Sequence, residues 1–145
     1  MSDNPFSNYE IRIPKRYSEQ VKRFCFTSGS NQNRELSPFE RQVDFWYFAF
    51  LIAVKKGLKP ESYDSKDMVN ITPATILSRD PYRVTYLQAV YLSITNNIDN
   101  LAEHKLVFDF ASELAYAGIP YLIQILDDSD DKPLYNTLDL IEDLL

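Results

Sequence analysis

SPFERQVDFWYFAFLIAVKKG, residues 37–57, is the most informative stretch of this 145-residue chain. Its middle, residues 45–54, holds ten apolar residues without interruption. Ser37 and Glu40 fit a capping box at a helix start, and Gly57 fits a helix end. Because a helix that is apolar on every side must be covered on every side, the stretch predicts either the central helix of a compact bundle or a face covered by a partner.

The positions of glycine and proline favour further helices. The chain has only three glycines, which disfavours a fold with many tight β-turns. Thr72-Pro73 and Asp80-Pro81 each place a capping side chain before a proline, as at a helix start. Gly118 is predicted to end one helix and Pro120 to begin the next. Apolar spacings of three, four and seven predict helices over residues 81–97, 101–117, 119–126 and 133–145.

The N-terminal third is less regular. Residues 11–13 have the character of a short strand, residues 15–24 could form a short helix, and residues 28–36 are a polar linker. A short extended piece is expected at residues 68–71. The predicted fold is therefore all-α: a compact bundle of about five or six helices with a central apolar helix and an N-terminal arm.

The predicted domain organisation follows that division. Residues 1–36 form a basic arm and polar linker, and residues 37–145 form a helical domain, with a single folding unit expected for a chain of this length. The one cysteine, Cys25, cannot form an internal disulfide. The first ten residues lack the features of a signal peptide, and an apolar run of ten is shorter than the about 20 residues of a membrane span. A cytoplasmic protein without membrane contact is expected.

Charge is distributed unevenly along the chain. The net charge is −6, but residues 1–60 carry ten Lys or Arg against six Asp or Glu, whereas residues 61–145 carry five against fifteen. A chain of this kind presents two electrostatically different faces unless the fold interleaves its halves.

Catalytic and metal chemistry find little support in the residues. His104 is the single histidine, which excludes multi-histidine metal sites, and it is expected on a solvated helix face. The chain has neither the GxxxxGK nor the GxGxxG phosphate loop. The acidic run at residues 127–131 lacks the glycine of an EF-hand loop, so a solvated turn before Pro133 is favoured. We expect no enzyme activity, no metal and no cofactor.

Two apolar groups are candidates for partner binding. The aromatic residues of the central helix suit core packing or the core of an interface, and the apolar stripe of the last helix suits a helix-in-groove contact. The candidates are Phe45, Trp46, Tyr47, Leu134, Leu138, Ile141 and Leu145.

A basic segment at residues 12–23 is a candidate for nucleic-acid binding. It carries five cations against one Glu and includes Tyr17, which could stack on a base. The alternative is an ordinary solvated face, paired with the acidic half of the chain. The candidate residues are Arg12, Lys15, Arg16, Lys22 and Arg23.

Three blocks in order resemble a known group of proteins. They are PFERQVDFWYFAFLIAVKKGL at residues 38–58, DPYRVTYLQAVYLSI at 80–94 and FASELAYAGIPYLIQIL at 110–126. This order resembles small accessory proteins encoded beside prokaryotic DNA phosphorothioation and related anti-phage defence genes, with Glu113 and Gly118 matching their closing glutamate, alanine and glycine pattern. The resemblance implies a non-catalytic subunit of a DNA-modification or defence complex, and it carries over no catalytic residues.

The expected function is therefore that of an adaptor. It would act through contacts with larger protein subunits of such a complex, and a homo-oligomer is compatible with the same residues. A nucleic-acid-binding module is the alternative. A mimic of DNA charge, or a metal-dependent enzyme built on residues 127–131, is the remaining hypothesis.

Overall fold

The computed structural model describes residues 4–28, 33–127 and 132–144. The described residues are mostly helical, with a small two-stranded antiparallel sheet. The helical bundle is thus confirmed, but the strictly all-α prediction is wrong. The elements are β1 (Glu10–Pro14), α1 (Ser18–Arg23), α2 (Gln42–Lys56), β2 (Met68–Pro73), α3 (Pro81–Thr95), α4 (His104–Leu126) and α5 (Pro133–Leu144). Short 3-10 segments lie at Lys15–Tyr17, Ser65–Asp67, Ala74–Arg79 and Ile98–Ala102.

Helix α2 is the centre of the fold and packs mainly on α4. The apolar run predicted this central position. The end of α2 is also as predicted, because Gly57 adopts the left-handed conformation (φ 66°) that closes a helix.

The start of α2 differs from the prediction. Ser37 does not cap the helix: it is buried, and its hydroxyl donates to the Arg23 carbonyl at 2.7 Å. Residues 37–41 are instead non-helical: Phe39 bridges to Cys25 in parallel, and residues 40–41 form a bend. The helix begins four residues later, where the Asp44 carboxylate accepts from the backbone N–H of Arg41 at 3.1 Å.

Helix α4 is continuous over 23 residues, so the predicted break at Gly118 is wrong. Gly118 is buried, and a Cβ there would lie 2.7 Å from the carbonyl carbon of Ala49. The glycine therefore allows α2 and α4 to approach closely instead of ending the helix. Pro120 also lies inside α4. In the part of the chain that the structure describes, α4 alone is long and apolar enough to cross a membrane, but 61% of that window is buried within the fold, as in a core helix.

Strand β1 pairs antiparallel with β2, with Ile13 opposite Val69 and a bulge between Ile11 and Arg12. Both extended pieces were predicted, although their pairing was not. Ile11 and Ile13 are fully buried, so the sheet closes one side of the core. Thr72-Pro73 does not begin an α-helix; it ends β2 and leads into a 3-10 segment.

The N-terminal arm is part of the core. Phe6, Val21, Phe24 and Cys25 belong to the same buried apolar cluster as α2 and α4. The phenyl rings of Phe24 and Phe45 stack with their centroids 6.4 Å apart.

In the described part of the chain, three ion pairs join the basic half (residues 1–60) to the acidic half (residues 61–145). Arg23 pairs with Asp127, and Lys132 pairs with Glu35. Arg83 lies 3.0 Å from Asp44, and its guanidinium covers the ring of Tyr47. The fold therefore interleaves the two halves at these points.

Helix α3 begins at Pro81 and ends before Asn96, which is left-handed (φ 54°). The predicted apolar stripe is buried at Val84, Leu87, Val90 and Tyr91. Ile94 in the last turn of α3 and Ile98 beyond its end have the same apolar spacing, but both are exposed.

Candidate functional site

A polar cleft of about 440 Å³ opens between β1, the connection before β2, and α4. This volume lies within the range of small-ligand sites. The residues that line it are Asn8, Tyr9, Glu10, Arg12, Ser62, Tyr63, Ser65, Met68, Lys105, Phe108, Asp109, Ser112, Glu113 and Tyr116.

One wall of the cleft is a face of α4, on which Lys105, Asp109 and Glu113 follow one another at intervals of four residues. Such residues share one side of a helix. The ammonium of Lys105 donates to both carboxylate oxygens of Asp109, at 3.2 and 3.0 Å. It also lies 5.9 Å from the ring centroid of Tyr9, at cation–π distance.

The next carboxylate along α4, that of Glu113, has no such partner. Among the described residues its carboxylate makes no hydrogen bond and no ion pair. Burial, and then the charge of Asp109, raise the pKa of Glu113. The cleft therefore holds one neutralised carboxylate and, one helical turn further on, one that is not neutralised.

Aromatic rings form the remaining walls. Tyr63 and Tyr116 meet edge to face, with ring centroids 5.9 Å apart. Burial is the main cause that raises the pKa of Tyr63 to about 12, and burial also raises that of Tyr116. Phe108 stacks on Trp46 at 6.3 Å and joins the cleft to the core.

Two contacts hold the connection against α4 and β1. The backbone N–H of Glu61 donates to the Glu113 carbonyl at 3.0 Å. Arg12 donates from Nη1 to Ser65 Oγ at 3.2 Å. The cleft is thus built by three segments that are far apart in the chain.

A second candidate surface lies on α5. Its inner residues Thr137 and Leu140 are buried. Tyr135, Leu138 and Ile141 are 43%, 52% and 37% exposed, and we call these three the α5 outer stripe. Asp139 and Glu142 are also exposed and border the stripe.

The structure separates the predicted partner-binding residues into two groups. Phe45, Trp46 and Tyr47 are 0%, 0% and 7% exposed, which favours core packing over docking for all three. Leu138 and Ile141 are exposed, and Leu134 is half-buried. Leu145 lies outside the described residues.

The five predicted nucleic-acid-binding cations have different surroundings. Arg12 lines the cleft, and Arg23 pairs with Asp127 and covers the ring of Phe24. Lys15, Arg16 and Lys22 are exposed, with Arg16 beside the ring of Tyr17.

The remaining predictions concern reactive and metal-binding groups. His104 is exposed at the first position of α4. Cys25 is buried, and burial, together with Asp44, raises its pKa to about 12. No group of three or more His, Cys, Asp or Glu side chains that could hold a metal was found in the described ranges. Most of the acidic run, residues 128–131, lies outside them, as do residues 29–32 of the predicted linker.

Sequence reasoning missed the cleft. It named Glu113 only as part of the resemblance, whereas Glu113 lines the cleft from within α4. The spacing of four between Lys105, Asp109 and Glu113 was the feature that could have indicated a shared charged face. Nothing local in the sequence indicated that Tyr63 would join that face.

No family model, curated protein or solved structure matches this chain.

Proposed function

We propose that the chain is a non-catalytic helical accessory subunit that acts in the cytoplasm by binding a larger protein through the α5 outer stripe. The observation that supports this most is the exposure of Leu138 and Ile141 on a helix whose Thr137 and Leu140 already pack inward. The stripe is therefore not needed to hold α5 on the fold. By the resemblance above, the larger protein belongs to a DNA-modification or anti-phage defence complex.

The borders of the stripe define the chemistry of the partner. Asp139 and Glu142 are exposed beside Leu138 and Ile141. An amphipathic segment with apolar residues flanked by Lys or Arg would complement both the apolar centre and its acidic rim. We therefore propose a basic amphipathic helix of the larger subunit as the occupant.

Binding of nucleic acid by the basic segment has weaker support. Two of its five cations, Arg12 and Arg23, are hydrogen-bonded or ion-paired within the fold. The exposed cations Lys15, Arg16 and Lys22 remain its candidates.

The adaptor proposal is tested by co-expressing the tagged chain with each product of the genes adjacent to its own. We expect one product to co-purify with the wild type and its affinity to fall roughly 30-fold in Leu138→Glu, as for an interface hot spot worth about 2 kcal/mol. Leu138 is exposed, so the variant should fold normally, which circular dichroism can verify.

Glu142→Gln is the matched control, because it changes the rim but keeps the apolar centre, and it should bind with only a small loss. Three outcomes would contradict the proposal. They are no co-purifying product, equal binding by Leu138→Glu, and self-association of the wild type that Leu138→Glu abolishes, which would make a second copy the occupant.

A further inference from the structure

We propose that the cleft between β1, the connection before β2, and α4 binds an organic cation, a primary ammonium or guanidinium group on a short alkyl chain, between Glu113 and the rings of Tyr63 and Tyr116. This inference is independent of the α5 outer stripe, which lies on another helix.

The first reason is that the cleft already contains one arrangement of this kind. Lys105 places its ammonium 3.0 Å from the Asp109 carboxylate and 5.9 Å from the ring centroid of Tyr9. A carboxylate and an aromatic face together form a favourable environment for an alkylammonium. The Lys105 and Asp109 side chains are 71% and 49% exposed, so this pair indicates the geometry that a bound ammonium could adopt on the same face.

The second reason is that a carboxylate and aromatic rings recur one turn along α4, where the carboxylate has no ion pair in the described part of the chain. Glu113 follows Asp109 by four residues, and the rings of Tyr63 and Tyr116 line the cleft beside it. No described side chain makes an ion pair with Glu113. An ionised carboxylate in a partly buried site is stabilised by a cationic partner. A ligand ammonium or guanidinium would supply that partner for Glu113.

The third reason is that the other charges of the cleft do not favour an anion. Lys105 is ion-paired with Asp109, and the guanidinium of Arg12 keeps its charge while it donates to Ser65 at 3.2 Å. Glu10 also lines the cleft, so its three carboxylates (Glu10, Asp109, Glu113) outnumber its two cations (Arg12, Lys105) and the formal balance is −1. The cavity of about 440 Å³ has room for a short alkyl chain beside the rings.

The full-length ¹⁵N-labelled protein can be titrated with agmatine, with n-butylammonium and with the peptide acetyl-Gly-Lys-Gly-amide, while amide shifts are followed by NMR. We expect saturable shifts at the backbone amides of the cleft. If the small amines bind as well as the peptide does, a free amine of metabolite size is sufficient to occupy the cleft. Binding by the peptide alone would identify a lysine or arginine of another protein as the source.

Glu113→Gln should weaken the binding of these probes by about tenfold, the loss of one charge-assisted contact. Tyr63→Leu should weaken it as well, because the aromatic face is removed. Glu142→Gln makes the same chemical change on α5, outside the cleft, and should leave binding unchanged. Because Glu113 is half-exposed and its carboxylate makes no hydrogen bond or ion pair with the described residues, its variant should keep the wild-type fold, which the remainder of the NMR spectrum reports.

The proposal is overturned if no probe shifts the cleft amides at millimolar concentrations, or if Glu113→Gln binds as tightly as the wild type. It is also overturned if butyrate, an anion of similar size, binds the cleft as well as butylammonium does.

Discussion

At the residue scale, Gly118 shows how one missing Cβ sets the distance between two helices. It faces the backbone of Ala49 on α2, and an added Cβ would lie 2.7 Å from the carbonyl carbon and 3.1 Å from the Cα. Backbone atoms cannot move aside as the end of a flexible side chain can. The residue therefore has a packing role that its local helix propensity does not reveal.

Gly118→Ala should lower the free energy of unfolding by about 1–3 kcal/mol, as overpacked cores do. Alanine favours a helix over glycine by about 1 kcal/mol, so an increase in stability would show that α2 and α4 can move apart. The measurement is urea unfolding followed by Trp46 fluorescence. Gly57→Asn is a useful control, because an added Cβ there meets nothing within 4 Å and asparagine tolerates the left-handed conformation. It should cost less than Gly118→Ala.

At the element scale, the sequence predicted best what is local. The centre and end of α2 and the start of α3 follow from apolar runs, Gly57 and Asp80-Pro81, and all are present. The start of α2 was misplaced because residues 37–41 pair with a distant segment, through Phe39 and Cys25. The β1–β2 pairing was not predicted for the same reason, because it joins segments that are far apart in the sequence.

Helix α4 was predicted as two helices because Gly118 and Pro120 both favour a helix end. Helix α4 packs along α2, with Gly118 directly against Ala49, so tertiary packing outweighs the local preference for a helix end. Pro120 still lacks the N–H that an α-helix would direct to the carbonyl four residues earlier, that of Tyr116.

Pro120→Ala should therefore raise the free energy of unfolding by about 1 kcal/mol, part of the roughly 3 kcal/mol by which proline disfavours a helix interior. Pro81→Ala is the matched control: Pro81 occupies the first turn of α3, where the N–H has no helical partner, so its replacement should be nearly neutral. Urea midpoints of the two variants give the comparison. A loss of stability in Pro120→Ala would indicate that the pyrrolidine ring contributes more by packing than the missing hydrogen bond costs.

At the scale of the whole molecule, the cleft illustrates what a sequence does not contain. Its walls come from residues 8–12, 62–68 and 105–116, and only the fold brings them together. The charge asymmetry was evident from composition, but the pairing of Arg23 with Asp127 and of Lys132 with Glu35 required the structure.

Because the N-terminal arm and α2 pack in one core although they are separate in the sequence, we predict one cooperative unfolding transition. Cys25 in the N-terminal arm and Trp46 in α2 are each the single residue of their type, and both are fully buried in one apolar cluster. Burial first, and then Asp44, raise the pKa of Cys25 to about 12, so its reactive thiolate is scarce in the folded chain at pH 8. Labelling of Cys25 by an aromatic disulfide should therefore require unfolding.

We expect the urea midpoint of Cys25 labelling to coincide with the midpoint of Trp46 fluorescence. A control is Ser93→Cys in a Cys25→Ala background: Ser93 is exposed on α3, so its thiol should react without urea. If Cys25 became reactive at clearly lower urea than Trp46 changed, residues 1–36 would open as a separate unit. Coincident midpoints would instead mean that Phe6, Val21 and Phe24 contribute to the same cooperative core as α2, so the arm cannot be released without unfolding the bundle.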